Sequence, residues 1–105
     1  MKNLFEALPS HLPEELIETL GGNENVKIER IVSHGHASEE GFWYEQQEHE
    51  FVLLIQGGAE LEFEDKTIRL KPGDYLTIEA GEKHRVKWTV PDMKSVWLAV
   101  FYPPE

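Results

Sequence analysis

His84 opens a predicted strand, residues 84–90, in which apolar and polar residues alternate. Alternate residues of a strand point to the same face, so His84 shares a face with Val86 and Trp88. The same counting places Glu50 on the face of Val52 in its own strand. A carboxylate on an apolar face is costly unless a positive group or a hydrogen-bond donor meets it. We therefore expect Glu50 and His84 to approach each other inside the protein or to share a cation.

Gln46 is the third residue that could join this pair. It lies on the Glu50 face if one extended strand covers residues 42–55, and its amide oxygen can bind a cation. Two oxygen ligands and one nitrogen ligand, with waters in the remaining positions, suit a divalent first-row metal ion. A second interpretation stays open, in which Glu50 and His84 form a buried ion pair without metal and Gln46 hydrogen-bonds to a loop.

The composition limits the class of protein. The chain has 105 residues, which is one domain in length, with no cysteine and a formal net charge of −10. Such a charge repels nucleic acid and anionic lipid surfaces. No apolar run approaches the roughly 18 residues of a membrane span, and the first residues lack the apolar stretch of a signal peptide. We expect a cytoplasmic protein with no nucleic-acid or membrane partner.

The chain divides into two parts by the spacing of its apolar residues. Residues 1–25 form a predicted helical lead-in, because Pro13 suits a helix start, apolar residues follow at helical spacing, and Gly21 and Gly22 suit a stop. From residue 26 to residue 105 the period changes to two, with Gly, Asp and Pro between short runs. The predicted strands are 26–32, 42–55, 59–64, 67–71, 75–78, 84–90 and 95–102. Short strands without intervening helices predict an antiparallel sandwich or small barrel.

Two of these runs, residues 51–55 and 96–102, are apolar on both faces. Their outer faces require a cover. The N-terminal helix can cover part of that surface, and a second copy of the chain can cover the rest. We therefore predict a homodimer.

Two stretches carry a resemblance to a known family. Glu50 is followed by six residues and Gly57, and "GDYLTIEAGEKH" runs from Gly73 through Gly81 to His84. These resemble the two conserved motifs of the cupin superfamily, and about residues 26–102 are similar to small single-domain bacterial cupins. The resemblance implies an all-β fold: a cupin-type antiparallel β-barrel, also called a double-stranded β-helix or jelly roll.

The resemblance also implies which residues bind metal. Cupins commonly use three histidines and one glutamate, of which Glu50 and His84 are present here. The paired histidines of the first motif correspond to Tyr44 and Gln46, or in another register to Trp43 and Glu45. The implied ligands of a divalent ion such as Zn, Mn, Fe or Ni are therefore Gln46, Glu50 and His84. The second motif also departs from the family pattern, with Glu79 in place of proline and Trp88 in place of asparagine.

Two functions remain open at this stage, beside a third possibility, a purely structural dimer whose pocket is filled by side chains. In the first, the barrel centre binds a divalent metal ion and a small polar ligand, as in a metal-dependent isomerase or oxidoreductase, with Tyr44 or Glu79 as candidate catalytic proton donor or acceptor. The set lacks the two histidines of oxygen-activating iron sites, which disfavours oxygenase chemistry. In the second, the protein is a noncatalytic small-molecule binding or sensing module without metal. The remaining histidines are expected in loops or at the surface, with the barrel mouth as the alternative for His34 and His36; they are His11, His34, His36 and His49.

Overall fold

The computed structural model describes residues 1–105 as an all-β protein with eight strands and no helix. The strands are β1 (Leu16–Gly22), β2 (Lys27–Ser33), β3 (His49–Gln56), β4 (Ala59–Phe63), β5 (Thr67–Leu70), β6 (Tyr75–Ile78), β7 (His84–Thr89) and β8 (Ser95–Tyr102). The all-β prediction is confirmed, and most predicted strands from residue 59 onward end within one residue of the observed bounds.

The strands form two antiparallel sheets that enclose the core between them. One sheet has five strands in the order β1-β2-β8-β3-β6, and the other has three in the order β5-β4-β7. Alternate residues of β3 and β4 face inward, and buried Val52 and Leu54 pack with Leu61 and Phe63 in one apolar cluster. The chain crosses between the sheets at Gly57, so β3 and β7 lie in opposite walls of the barrel.

The predicted N-terminal helix is wrong, because residues 16–22 form strand β1. This strand pairs antiparallel with β2 from Leu16 opposite Val32 to Gly22 opposite Lys27. Gly22 has a φ of 135° and leads into the hairpin turn, where the Asn23 side chain accepts hydrogen bonds from two backbone N–H groups. A backbone ladder with β2 outweighs the weak helical spacing of so short a segment. The division of the chain at residue 25 stays a prediction, and β1 belongs to the five-stranded sheet.

The predicted long strand 42–55 is shorter than expected. Strand β3 begins at His49, residues 47 and 48 bend, and Tyr44 makes only an isolated bridge to His84. The segment before β3 is held by the loop between β6 and β7, since the Gly81 N–H donates to the Gln46 carbonyl at 2.7 Å. Gln46 therefore approaches Glu50 through a bend rather than along an extended strand.

A β-bulge in β7 changes the face of Trp88. In the ladder with β4, Leu61 lies opposite Val86 and Glu60 lies opposite Trp88, so Lys87 is an extra residue. The alternation shifts there, and Thr89 becomes buried at 1% exposure. Trp88 instead lies against the Arg69 guanidinium, 5.0 Å from the ring centroid to Cζ. The prediction that Trp88 shares the His84 face is wrong, because a bulge inverts the alternation.

The N-terminal residues cover part of the outer face of the five-stranded sheet. Arg30 points to that face and is only 5% exposed. Its guanidinium pairs with Glu18 and donates to the backbone carbonyls of Leu4 at 2.9 Å and Glu6 at 2.7 Å. The first residues of the chain are thereby tied across β1 and β2. The structure contains no helix that could cross a membrane.

Candidate ligand and metal site

A small cavity lies between the two sheets near the centre of the barrel. Its volume is about 110 Å³, and most of its wall is apolar. The charged and amide side chains in its lining are Glu15, Glu29, Gln46, Glu50 and His84, and Tyr44 contributes a phenol. No lysine or arginine lines the cavity. Four of these residues were singled out in the sequence, whereas Glu15 and Glu29 were not.

Glu50 and His84 meet in this cavity from opposite walls. Glu50 lies in β3 and His84 begins β7, and the distance from His84 Nε2 to Glu50 Oε1 is 3.6 Å. Their side chains are 10% and 6% exposed, respectively. The separation is that of an ion pair rather than of a short hydrogen bond. Both residues are thus where the alternation of their strands predicted them, on inward faces.

The protonation state of His84 follows from its two nitrogen contacts. Nδ1 lies 3.0 Å from the Glu82 carbonyl oxygen, which can only accept, so Nδ1 carries a proton. Nε2 is the nitrogen that faces Glu50. Burial of the ring lowers its pKa, but the Glu50 carboxylate and the Glu82 carbonyl more than offset this, and the pKa of His84 lies above its usual value.

Gln46 completes the contact network around Glu50. Its amide nitrogen donates to Glu50 Oε1 at 2.9 Å. The same carboxylate oxygen therefore faces both Gln46 and His84, and the three residues predicted from the sequence lie together. In this arrangement the amide oxygen of Gln46 points away from Glu50, and an amide rotation would exchange the oxygen and the nitrogen.

Tyr44 packs directly on His84. The two residues exchange backbone hydrogen bonds of 2.7 and 3.0 Å, and their rings stack with centroids 5.5 Å apart. Burial, with the negative charges of Glu15 and Glu50, raises the pKa of Tyr44, so its phenol keeps its proton at neutral pH. Glu15, Tyr44 and Val86 also line an outer depression of about 520 Å³. These three residues therefore lie between the central cavity and the outer depression.

The other predicted candidates lie away from the cavity. The Glu79 side chain is 67% exposed, and its carboxylate contacts His49 Nδ1 at 3.1 Å. His36 accepts a hydrogen bond from the His34 N–H at Nδ1, and its Nε2 lies 3.1 Å from the Leu12 carbonyl. His34 is exposed. Of the two catalytic candidates, the fold brings Tyr44 to the site and leaves Glu79 at the surface.

Glu15 and Glu29 were missed for reasons that the sequence explains. The predicted helix, with its start near Pro13, made Glu15 an acid of the first helical turn, whereas here its carboxylate accepts a hydrogen bond from Ser33 Oγ at 2.8 Å. Strand β2 has apolar residues on both faces, so its inward face could not be identified from alternation. The position of Glu29 opposite Ala99, which is fully buried, settles its inward direction.

The donor atoms fit a divalent ion that takes its remaining ligands from solvent or from a bound molecule. His84 offers Nε2 with Nδ1 anchored to a carbonyl, the arrangement common among metal-binding histidines, and Glu50 offers a carboxylate oxygen beside it. The Gln46 amide oxygen is the third donor after amide rotation. No group of three or more His, Asp or Glu side chains comes together as a possible metal site anywhere in the chain. Affinity for such an ion is therefore expected to be lower than at a three-histidine site.

The fold and the central cavity define a small antiparallel barrel with inward-facing polar residues. The sequence matches the cupin-domain family over residues 29–101. The chain belongs to this family, which confirms the resemblance read from the two motifs. No curated protein matches the sequence.

Solved structures show the same fold. A Ralstonia eutropha protein, provisionally described as a mannose-6-phosphate isomerase, is 39% identical with a TM-score of 0.96, covering 99% of this chain and 98% of that one. A cupin superfamily protein from Desulfitobacterium hafniense is 20% identical, with a TM-score of 0.76 and coverage of 92% and 84%. KdgF from a Halomonas species is 20% identical, with a TM-score of 0.72 and coverage of 89% and 83%.

Proposed function

We propose that this cupin binds a divalent metal ion through Gln46, Glu50 and His84, and holds a small polar ligand in the central cavity. The observation that carries the proposal is the approach of His84 Nε2 to the Glu50 carboxylate, 3.6 Å apart inside an apolar barrel. When bound, such an ion supplies Lewis acidity toward a carbonyl or carboxylate oxygen of the ligand.

The residues around the pair support proton transfer as the chemistry. Tyr44 lies against His84 with a protonated phenol, which suits a proton donor to a bound ligand. Glu50 supplies a carboxylate from the opposite wall, and most of the lining is apolar. An isomerisation, which moves protons within one molecule, therefore fits the cavity better than oxygen activation, for which the two-histidine set is absent.

The phosphorylated hexose in the description of the Ralstonia relative suits this cavity poorly. Phosphate groups are bound by arginine, lysine, helix N-termini or metal ions, and no lysine or arginine lines the cavity. A volume of about 110 Å³ is also small beside the roughly 300–1,000 Å³ of drug-sized ligand sites. We infer a ligand smaller than a hexose phosphate.

A second function, a metal-free binding or sensing module, is supported by one observation. Gln46 and His84 already satisfy the same Glu50 oxygen, so the three side chains form a stable buried network by themselves. Such a module would hold its ligand by hydrogen bonds and aromatic contacts. The lack of cysteine is consistent with a cytoplasmic location for either function.

Metal analysis of protein purified without an affinity tag distinguishes the two functions. The protein is loaded with Zn²⁺ or Mn²⁺, dialysed and measured for metal content, alongside Glu50→Ala and His84→Ala. We expect about one ion per chain in the wild type and a loss in both variants, because each removes one of two strong ligands. His11→Ala, which removes an exposed histidine, is the matched control and should retain the metal. A wild-type protein that retains no metal, or no more metal than Glu50→Ala and His84→Ala retain, contradicts the metal proposal.

A further inference from the structure

The central cavity has an unusual charge balance for a polar-ligand site. Three carboxylates line it from three separate elements: Glu15 before β1, Glu29 in β2 and Glu50 in β3. His84 is the single basic side chain in the wall, and it is already engaged by Glu50. Glu15 and Glu29 therefore face the cavity, and no cationic side chain of the cavity lining pairs with either of them.

Glu29 is the least satisfied of the three carboxylates. The residue is 8% exposed and its carboxylate accepts no hydrogen bond from the protein. The nearest ammonium group, Lys27 Nζ, is 3.7 Å away, and that side chain is itself half exposed and lies over the Phe101 ring. The Glu29 oxygens remain accessible from the cavity, where an N–H group of a bound molecule can donate to them.

The wall also contains Trp97, whose indole nitrogen is fully buried rather than open to the cavity. Trp97 lines the cavity at 4% exposure, and its indole N–H has no hydrogen-bond partner in the protein. Aromatic faces of Tyr44, Trp97 and Phe101 make up part of the lining. Aromatic side chains next to carboxylates attract organic cations by electrostatics and by their ring quadrupoles.

We propose that the cavity binds a small organic ammonium compound, and that Glu29 and Glu15 are the residues that select for its positive charge. The ammonium group takes the place opposite these carboxylates, and its short carbon chain lies against the apolar wall. This inference rests on the proposed function only in that the cavity is a ligand site. It does not require the metal ion.

The test compares ligands of equal chain length and different charge. Uniformly ¹⁵N-labelled protein is titrated with propylammonium, 1-propanol, propionate and inorganic phosphate at pH 7 in the presence of EDTA. Chemical shifts are followed for the Trp97 indole N–H and for the Val52 and Leu61 amides in the cavity wall. The indole of Trp88, which lies outside the barrel, is an internal control. The titrations are repeated with Glu29→Gln, Glu15→Gln and, as a matched loss of charge at an exposed position, Glu64→Gln.

We expect saturable shifts with propylammonium, binding of 1-propanol weaker by about tenfold, and no saturation with propionate or phosphate. Glu29→Gln and Glu15→Gln should each weaken propylammonium binding several-fold, whereas Glu64→Gln should not. The inference is overturned if 1-propanol or propionate binds as tightly as propylammonium, if both glutamine variants keep wild-type affinity, or if no probe saturates. Because EDTA removes any bound metal ion, propylammonium binding in this experiment does not depend on the metal proposal. Either proposal can therefore fail without the other.

Discussion

The buried carboxyl group of Glu15 lowers the stability of the folded protein by an amount that depends on pH. Burial raises its pKa above the usual value of 4.5, and the negative charge of Glu50 acts in the same direction, against the opposing effects of the Ser33 hydrogen bond and of His36. Between the usual and the raised pKa the folded protein binds more protons than the unfolded chain. Stability therefore falls as the pH rises through this window.

Replacing Glu15 by glutamine should remove this cost. We expect Glu15→Gln to unfold at a higher urea concentration than the wild type at pH 7, because the amide stays neutral and still offers an oxygen to Ser33. The gain should disappear below a pH of about 4.3, where the wild-type carboxyl is also protonated. Glu64→Gln should show no such pH-dependent gain. A Glu15→Gln protein that is less stable at pH 7, or equally stabilised at both pH values, would contradict the raised pKa.

A stabilised Glu15→Gln variant with weaker ammonium binding would indicate that this carboxylate is retained for its ligand. Binding sites often contain groups that destabilise the empty protein, since the groups are arranged for a molecule that arrives later. Urea unfolding thus measures how much this carboxylate destabilises the empty protein, and ligand titration measures how much it contributes to binding.

At the scale of the elements, the turn between β3 and β4 positions the two walls of the site. Gly57 has a φ of 94°, and the Gly58 N–H donates to Ser95 Oγ at 3.2 Å. The Gly58 carbonyl accepts from the Val90 N–H at 2.9 Å, close to the end of β7. This turn therefore connects the strand of Glu50, the strand of His84 and the start of β8.

Gly57→Ala should destabilise the protein by roughly 2–4 kcal/mol, since the new methyl group combines a left-handed backbone with overpacking. Its Cβ would lie 2.7 Å from the Cα of Ser95, a backbone atom that cannot move aside cheaply. Gly21→Ala is the matched control, because a Cβ there meets nothing within 4 Å, and it should change stability by less than about 0.5 kcal/mol. Urea unfolding measures both. A Gly57→Ala protein as stable as Gly21→Ala would show that the turn adapts more readily than its geometry indicates.

At the scale of the whole molecule, the outer face of the five-stranded sheet is only partly covered. The N-terminal residues lie over Arg30, on the β1 and β2 side. On the β3 and β6 side, Phe51 and Leu53 are half-buried, and Tyr75 is 68% exposed with its ring 5.5 Å from that of Phe51. We propose that a second copy of the chain covers this apolar face, as the unbroken apolar run 51–55 predicts.

Tyr75→Glu should shift the protein toward monomer, because it places a charge at the centre of the proposed interface. Light scattering coupled to size-exclusion chromatography, over a range of protein concentrations, measures the change. Met93→Glu is the control, since Met93 is an exposed apolar residue at 43% exposure outside this face. A wild type that elutes as a monomer at every concentration would contradict the dimer.

The sequence by itself determined the elements whose signals are local. Alternation predicted β4 to β8, and it placed Glu50 and His84 on inward faces because a strand has a fixed period of two. The two motifs then assigned the family. These features depend on neighbours within a few residues, which is the range over which a sequence pattern acts.

Only the tertiary structure decided the rest of the site. Residues 16–22 have helical spacing and become a strand because β2 offers them a ladder, and this pairing brings Glu15 to the cavity. The bend at residues 47–48 brings Gln46 to Glu50, and the bulge at Lys87 turns Trp88 outward. Glu29 faces inward because β8 pairs with β2 in one particular register. Each of these outcomes depends on a partner strand distant in the chain, and pairing energies between distant strands are not encoded in the local spacing of residues.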